Sequence, residues 1–286
     1  MLHFLLDPVH FAFMRRALVG CIALSLAGPP LGVILVLRRM SLMSDVLQHG
    51  ILPGLALGAM FGGLSFWAMG LGGLLAGLAV ALLAGLAARA TNGREDSQLA
   101  GAYLIALALG VALVSREQGI DLGELLFGSV LGVTDGALRL IAGVASVTML
   151  GVALIWRPLV LDSFDPVFLR SVGGRGGMWH LAFLALVVLC VVAGYTALGT
   201  LMSVGLMMLP AIAARHFAVS LAAQVRAAVV IALLSSVIGL WVSYQSDMPS
   251  GPAIILTAGA FWLFGVLLGP EQSVRAQLVR KSHLTG

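Results

Sequence analysis

Residues 71–88 read LGGLLAGLAVALLAGLAA, an unbroken run of small and aliphatic side chains. A hydrocarbon core about 30 Å thick requires about 20 apolar residues of helix. The glycines and alanines among the leucines suit close packing of one membrane helix against another. The run therefore predicts a membrane-spanning helix over residues 64–88 that packs closely against its neighbours.

The composition of the whole chain extends this prediction. The 286 residues are 60% hydrophobic and only 10% charged, and the mean hydropathy is +1.07. Soluble domains do not have this composition. A β-barrel is disfavoured because the apolar runs are continuous rather than alternating. We expect an all-α, polytopic protein in which residues 1–286 form a single transmembrane domain.

Eight or nine helices are expected to cross the membrane, because the apolar runs recur along the chain. The predicted spans are 14–37, 43–62, 64–88, 98–114, 137–156, 179–198, 199–217, 221–244 and 251–269. Residues 122–134 are too short to span and are expected to be re-entrant or interfacial. Pro29 and Pro30 predict a kink in the first span.

The arginines predict the orientation of these spans, since cytoplasmic loops carry an excess of positive charge. The long polar connection 157–177 and the tail 270–286 are assigned to the cytoplasm. The shorter loops that then fall inside carry Arg38, Arg39, Arg89, Arg94, Arg215 and Arg226. Arg15 and Arg16 disagree, because they fall at the outer face. Either the N-terminal segment re-enters or the first span is misassigned.

Several function classes are disfavoured by what the sequence lacks. It has no nucleotide-binding motif, so work driven by ATP would need a partner chain, and the chain itself is not expected to be an enzyme. A secondary transporter working alone would be expected to show internal repeats, and none is visible. An intramembrane metalloprotease would need a His-Glu-x-x-His helix. The net charge of +4 reports topology rather than nucleic-acid binding.

Residues 44–54, SDVLQHGILPG, carry the strongest candidate site. Asp45 and His49 are four residues apart and share one face of a helix. A carboxylate and an imidazole form half of a transition-metal site, and a symmetric dimer would supply the other half. Pro53 predicts a broken helix beside protein or a water-filled cavity. The alternative is a polar pair at the membrane boundary, with His49 bonded to a nearby carbonyl.

Residues 38–54, RRMSLMSDVLQHGILPG, resemble the signature of the zinc/manganese family of bacterial ABC-importer permeases. Segments 121–133, 163–173 and 243–252 resemble further segments of that family, and the likeness runs from about residue 14 to 269. Two departures are Leu209 before Pro210, where threonine is more usual, and Gln48, where a small residue usually precedes the histidine.

The resemblance implies the membrane subunit of a metal importer in the bacterial cytoplasmic (inner) membrane. It implies a homodimeric permease, ATP-binding subunits that hydrolyse ATP, and a periplasmic or extracellular metal-binding protein. No permanently bound cofactor is implied. The transported ion is Zn²⁺ or, alternatively, Mn²⁺. The remaining contacts of such a chain would be with membrane lipid, and none with nucleic acid.

Two further groups of residues are expected to serve this function. Gln48, Pro53, Glu124 and Asp247 are candidate pathway residues, although Asp247 is explained more simply as a turn former. The 157–177 connection contains an amphipathic pattern with a helix start at Asp165 and Pro166. It is either an ordinary connection or, as the resemblance favours, the segment that docks on the ATP-binding subunit. The predicted coupling residues are Phe164, Asp165, Pro166, Phe168, Arg170 and Gly173.

Overall fold

The computed structural model describes residues 11–41, 43–63, 65–91, 95–115, 133–171 and 176–275. These residues form helices joined by short connections, with no strand among them. The helices are α1 Ala12–Leu37, α2 Met43–Gly50, α3 Leu52–Gly62, α4 Phe66–Thr91, α5 Glu95–Val114, α6 Asp135–Phe164, α7 Pro166–Ser171, α8 Gly176–Leu198, α9 Thr200–Ala214, α10 Leu221–Ser246 and α11 Ser250–Leu268.

The protein is an all-α, polytopic membrane protein, as the composition predicts. Seven of its described helices are long and apolar enough to cross a membrane, and α9 is a shorter apolar helix of 15 residues. Together with the consecutive pair α2 and α3, these elements come close to the predicted eight or nine crossings.

Helix α1 forms the centre of the bundle and packs against α6, α8, α9 and α10. It continues as one helix past Pro29 and Pro30. Gly32 lets α9 approach, because a Cβ at this position would collide with the carbonyl of Met207. Ser25 on α1 lies 3.0 Å from Ser236 on α10, Oγ to Oγ, a buried hydrogen bond between two spans. Small and hydroxyl side chains thus join the central helices, as is usual in membranes.

The predicted span 43–62 is two helices rather than one. Helix α2 ends at Gly50 and α3 begins at Leu52, with Pro53 as its second residue. Helix α3 packs on α4 and α5. Gly58 lies against the carbonyl of Ala68 on α4, and Gly110 of α5 lies against the backbone nitrogen of Pro53. The break therefore occurs where neighbouring backbones surround the chain, which is where a membrane tolerates it.

The fifth predicted span is longer than the sequence indicated. Helix α6 was expected to stop at residue 156, but it continues through Arg157 and Pro158 to Phe164. The part of the 157–177 connection that lies outside α6 begins after Phe164, and it contains α7. Charged residues end the apolar run but need not end a helix, because the backbone hydrogen bonds persist once the helix leaves the lipid. Most of the predicted segment 122–134 lies outside the described residues.

Arg15 and Arg16 belong to α1, Ala12–Leu37, so the first helix lies where the sequence predicts the first span. The Arg16 guanidinium lies 3.1 Å from a carboxylate oxygen of Asp135, the first residue of α6, and both side chains are exposed. This pair offsets one of the two positive charges that opposed the predicted orientation.

Candidate metal site and coupling surface

Asp45 and His49 lie on one exposed face of α2. The Asp45 Oδ1 and His49 Nε2 atoms are 3.9 Å apart, and the two side chains are 59% and 35% exposed. This separation is longer than a hydrogen bond, so both donor atoms are available to a third group. An oxygen and an imidazole nitrogen so placed suit a divalent transition metal.

The opposite face of α2 is packed into the bundle. Leu47 and Ser44 are fully buried, and Gln48 is only 6% exposed. Ser44 Oγ and Gln48 Oε1 have no hydrogen-bond partner among the described residues. The predicted pathway residue Gln48 therefore lies on the packed side of the helix, whereas Asp45 is exposed.

Pro53 changes the backbone hydrogen bonding next to the candidate site. It has no N–H, so the carbonyl of His49, four residues earlier, lacks its usual helical donor. Ile51 still donates to Leu47 at 3.1 Å, and Leu55 donates to Ile51 at 3.0 Å, so the distortion is confined to a few residues.

The described residues of a single chain do not complete a metal site. Among the described residues, no group of three or more His, Cys, Asp or Glu side chains could hold a metal. Glu124 lies outside the described residues. Asp247 ends α10 in a left-handed conformation and is exposed. Its neighbour Tyr244 contacts Phe11 at the N-terminal end of α1, whereas Asp45 follows the C-terminal end. Asp247 is therefore not brought to the Asp45–His49 pair.

Two of the predicted coupling residues, Phe164 and Phe168, have exposed aromatic side chains. Phe164 ends α6 and is 66% exposed, while Phe168 in α7 is 50% exposed. Asp165 begins α7 by accepting a 2.8 Å hydrogen bond from the Phe168 backbone N–H, and Leu169 anchors the helix with a buried side chain. The helix start predicted at Asp165 and Pro166 is present.

The remaining predicted coupling residues are placed less fully. Pro166 is the first residue of α7, and Arg170 lies within the same helix. Gly173 lies outside the described residues.

Sequence reasoning missed a polar cluster around Arg38, at the end of α1. Its Nε donates to Ser163 Oγ at 2.9 Å, and its Nη2 donates to Asp162 Oδ2 at 2.9 Å and to the Leu159 carbonyl at 3.3 Å. On the other side, Nη1 lies 2.9 Å from His180 Nδ1. That nitrogen must accept the bond, because a guanidinium only donates.

The signal for this cluster was weak in the sequence. Arg38 and Arg39 are adjacent and were assigned the same topological role, yet Arg39 is exposed and the Arg38 side chain is only 9% exposed. Phe183 contributes as well, with its ring centre 5.4 Å from the guanidinium carbon. Pairing over such sequence distances is not encoded in any local pattern.

Comparison with known proteins agrees with this architecture. The manganese import system permease protein ScaB of Streptococcus parasanguinis is 32% identical over 263 residues, covering 92% of each chain. The manganese transport system membrane protein MntC of Halalkalibacterium halodurans is 29% identical, covering 92% of this chain and 90% of that one.

A solved structure is similar in fold as well as in sequence. A chain of PsaBC from Streptococcus pneumoniae, determined in complex with Fab, has a TM-score of 0.84 and 28% identity. The match covers 95% of this chain and 98% of that one. Residues 10–269 match the ABC 3 transport family. The resemblance seen in the sequence is thereby confirmed, and the chain belongs to the ABC 3 transport family, as a membrane transport subunit that leaves ATP hydrolysis to a partner chain.

Proposed function

We propose that this chain is the permease of an ATP-driven importer of Mn²⁺ in the bacterial cytoplasmic membrane. Relatives similar along nearly its whole length are named for manganese transport. Zinc, the cargo that the sequence analysis put first, is not confirmed, and the manganese alternative fits these relatives better. The observation that carries the proposal is the exposed Asp45–His49 pair on α2.

The donor set explains how such an ion could be held and then released. Asp45 supplies a charge that offsets the dehydration of a divalent ion, and His49 supplies a nitrogen ligand. Mn²⁺ accepts carboxylate, carbonyl, water and imidazole ligands, and it binds N/O sites more weakly than Zn²⁺ does. A transport site needs binding that is strong enough to admit an ion but weak enough to release it.

A homodimer would complete this site. One described chain brings only two side-chain ligands together on an exposed face. A two-fold axis beside α2 would place two Asp45 carboxylates and two His49 imidazoles around one ion. Native mass measurement of the purified complex tests the stoichiometry, since one permease chain per complex would contradict the homodimer.

The ATP-binding subunit would dock on α7. The surface formed by Phe164, Val167 and Phe168 is exposed and apolar, although it lies next to polar residues and beyond the apolar run of α6. Exposed apolar patches of this kind mark protein interaction sites. A binding protein that delivers the ion from outside would complete the importer.

Uptake by reconstituted complexes tests the proposal. Asp45→Asn keeps the side-chain size but removes the charge, and His49→Ala removes the nitrogen ligand. We expect both variants to assemble normally but to lose nearly all ATP-dependent Mn²⁺ uptake. Asp135→Asn is the matched control, because Asp135 is also an exposed carboxylate near a helix start. Normal uptake by both α2 variants would remove the pair from the mechanism.

The same assay identifies the transported ion and the energy source. Parallel uptake of Zn²⁺ and Mn²⁺ identifies the ion that is moved. Uptake driven by an ion gradient without the ATP-binding subunit would instead support the secondary-transporter alternative.

A further inference from the structure

Arg38 holds both ends of the segment that carries α7. Its partners Asp162 and Ser163 lie in the last turn of α6, directly before α7. Its other partners, His180 and Phe183, lie in the first two turns of α8, directly after it. One side chain therefore fixes the position of the coupling surface relative to α1.

The link between Asp162 and α7 is short and well ordered. The Asp165 N–H donates to the Leu161 carbonyl at 2.8 Å, which closes the last turn of α6, and the Asp165 side chain caps α7. Leu169 is buried and holds α7 against the bundle. A displacement of α7 would therefore be passed to Asp162 and Ser163 rather than absorbed by a flexible connection.

Backbone hydrogen bonds also connect the end of α1 at Arg38 with the start of α2. Arg39 adopts a left-handed conformation with φ of 60°, and the Met40 N–H donates to the Leu35 carbonyl at 2.8 Å while the Arg39 N–H donates to Val36 at 3.1 Å. These are the two hydrogen bonds of a Schellman motif. The Met43 N–H donates to the Met40 carbonyl at 3.0 Å. Helix α2 thus begins within a hydrogen-bonded turn.

We propose that Arg38 is a positioning residue that transmits movement of α7 to α2, and so links the coupling surface to Asp45 and His49. The inference rests on the proposed function, because it assigns a connection between its two sites. The route consists of α7, the end of α6, the Arg38 side chain, the backbone of the turn at Arg39 and Met40, and α2; the exposed Arg39 side chain is not part of it. Rigid elements joined by hydrogen bonds are the physical means by which two sites influence each other.

A purely structural role for Arg38 predicts a different result. Removing one partner of a buried ion pair leaves an uncompensated charge, which destabilises the protein whether or not the pair transmits anything. Arg38→Met alone would therefore be ambiguous. Combining it with Asp162→Asn removes both charges and restores stability, but it does not restore the connection between α6 and α1.

The experiment measures thermal stability, ATP hydrolysis and Mn²⁺ uptake for the complete complex in proteoliposomes. The variants are Arg38→Met, Arg38→Lys, Asp162→Asn and the double variant Arg38→Met/Asp162→Asn. Arg39→Met is the matched control, since it removes the same charge from the adjacent position, where the side chain is exposed.

We expect the double variant to be more stable than Arg38→Met but to transport about tenfold less Mn²⁺ per ATP hydrolysed than the wild type, within the usual range of coupling between sites. Arg38→Lys should recover part of this ratio, because an ammonium keeps the charge but cannot bond all partners at once. Arg39→Met should retain the wild-type ratio.

Two outcomes overturn the inference without affecting the proposed function. A double variant with the wild-type ratio would show that Arg38 only stabilises the fold. Equal losses in Arg38→Met and Arg39→Met would assign the effect to net charge at this end of the bundle. Absence of Mn²⁺ transport by the wild type would instead overturn the proposed function itself, and this inference with it.

Discussion

Gly54 on α3 and Gly72 on α4 lie backbone against backbone, so that a Cβ on either residue would collide with the carbonyl oxygen of the other. Gly54 directly follows Pro53, at the start of the helix that comes directly after α2, which carries Asp45 and His49. The close approach therefore fixes where α3 begins, and with it the end of α2 at Gly50.

The first prediction concerns this contact. Gly54→Ala should lower stability by about 1–3 kcal/mol or more, the usual cost of overpacking, because the obstructing atoms belong to a backbone. Gly143→Ala on α6 is the control, since a Cβ there meets nothing within 4 Å. The control should be neutral or stabilising by about 0.5–1 kcal/mol from helix propensity. Thermal unfolding in detergent measures both, and equal melting temperatures would contradict the close approach.

The second prediction separates docking from folding on α7. Phe168→Asp should reduce association with the ATP-binding subunit and leave the permease folded, because the ring is half exposed. Leu169→Asp should instead destabilise the permease, since the leucine is buried and an unpaired carboxylate there is costly. Co-purification and thermal stability are measured together. Normal association of Phe168→Asp would remove α7 from the docking surface.

The third prediction concerns orientation. Ser171 and Ser246 are both exposed, whereas the native Cys21 and Cys190 are buried and should contribute little background. Cysteine placed at residue 246 should react with an impermeant maleimide in whole cells, and cysteine at residue 171 should react only after permeabilisation. The reverse pattern would invert the orientation derived from the arginines.

The fourth prediction concerns competition between metals. A site built from carboxylate and imidazole should bind Zn²⁺ more tightly than Mn²⁺, so Zn²⁺ should inhibit Mn²⁺ uptake. His49→Asp replaces nitrogen by oxygen and should weaken zinc inhibition more than it weakens Mn²⁺ uptake. Uptake of radioactive manganese at increasing zinc measures both effects. Unchanged zinc inhibition in this variant would mean that competition occurs elsewhere.

The positions of most helices could be predicted from the sequence, because apolar runs of the required length are a local property. The spans expected at 221–244 and 251–269 correspond closely to α10 and α11. The sequence also identifies Asp45 and His49 as a pair, since the i, i+4 spacing places them on one face of a helix whatever surrounds it.

Features that depend on tertiary contacts could not be predicted in this way. Gln48 is a candidate pathway residue because it replaces the small residue usual before the histidine, but the sequence does not show that packing buries its side chain in the bundle. The end of α6 was placed eight residues early, at 156 instead of Phe164, because composition reports where the lipid ends rather than where the helix ends. The partners of Arg38 required knowledge of which helix ends meet.

The Arg38 cluster also bears on how the chain is made. Its hydrogen-bond partners lie 121 to 142 residues later in the sequence, so synthesis completes α1 long before Leu159 or His180 exists. During that interval the guanidinium has not yet met these partners. In the orientation that the arginines predict, its positive charge is of the kind that retains a helix end on the cytoplasmic side of the translocation machinery. Once α6 and α8 have been synthesised and have packed against α1, the same guanidinium forms hydrogen bonds to both helices. In that orientation a single arginine would serve first as an orientation signal in biogenesis and later as the side chain that joins the first helix to the middle of the chain.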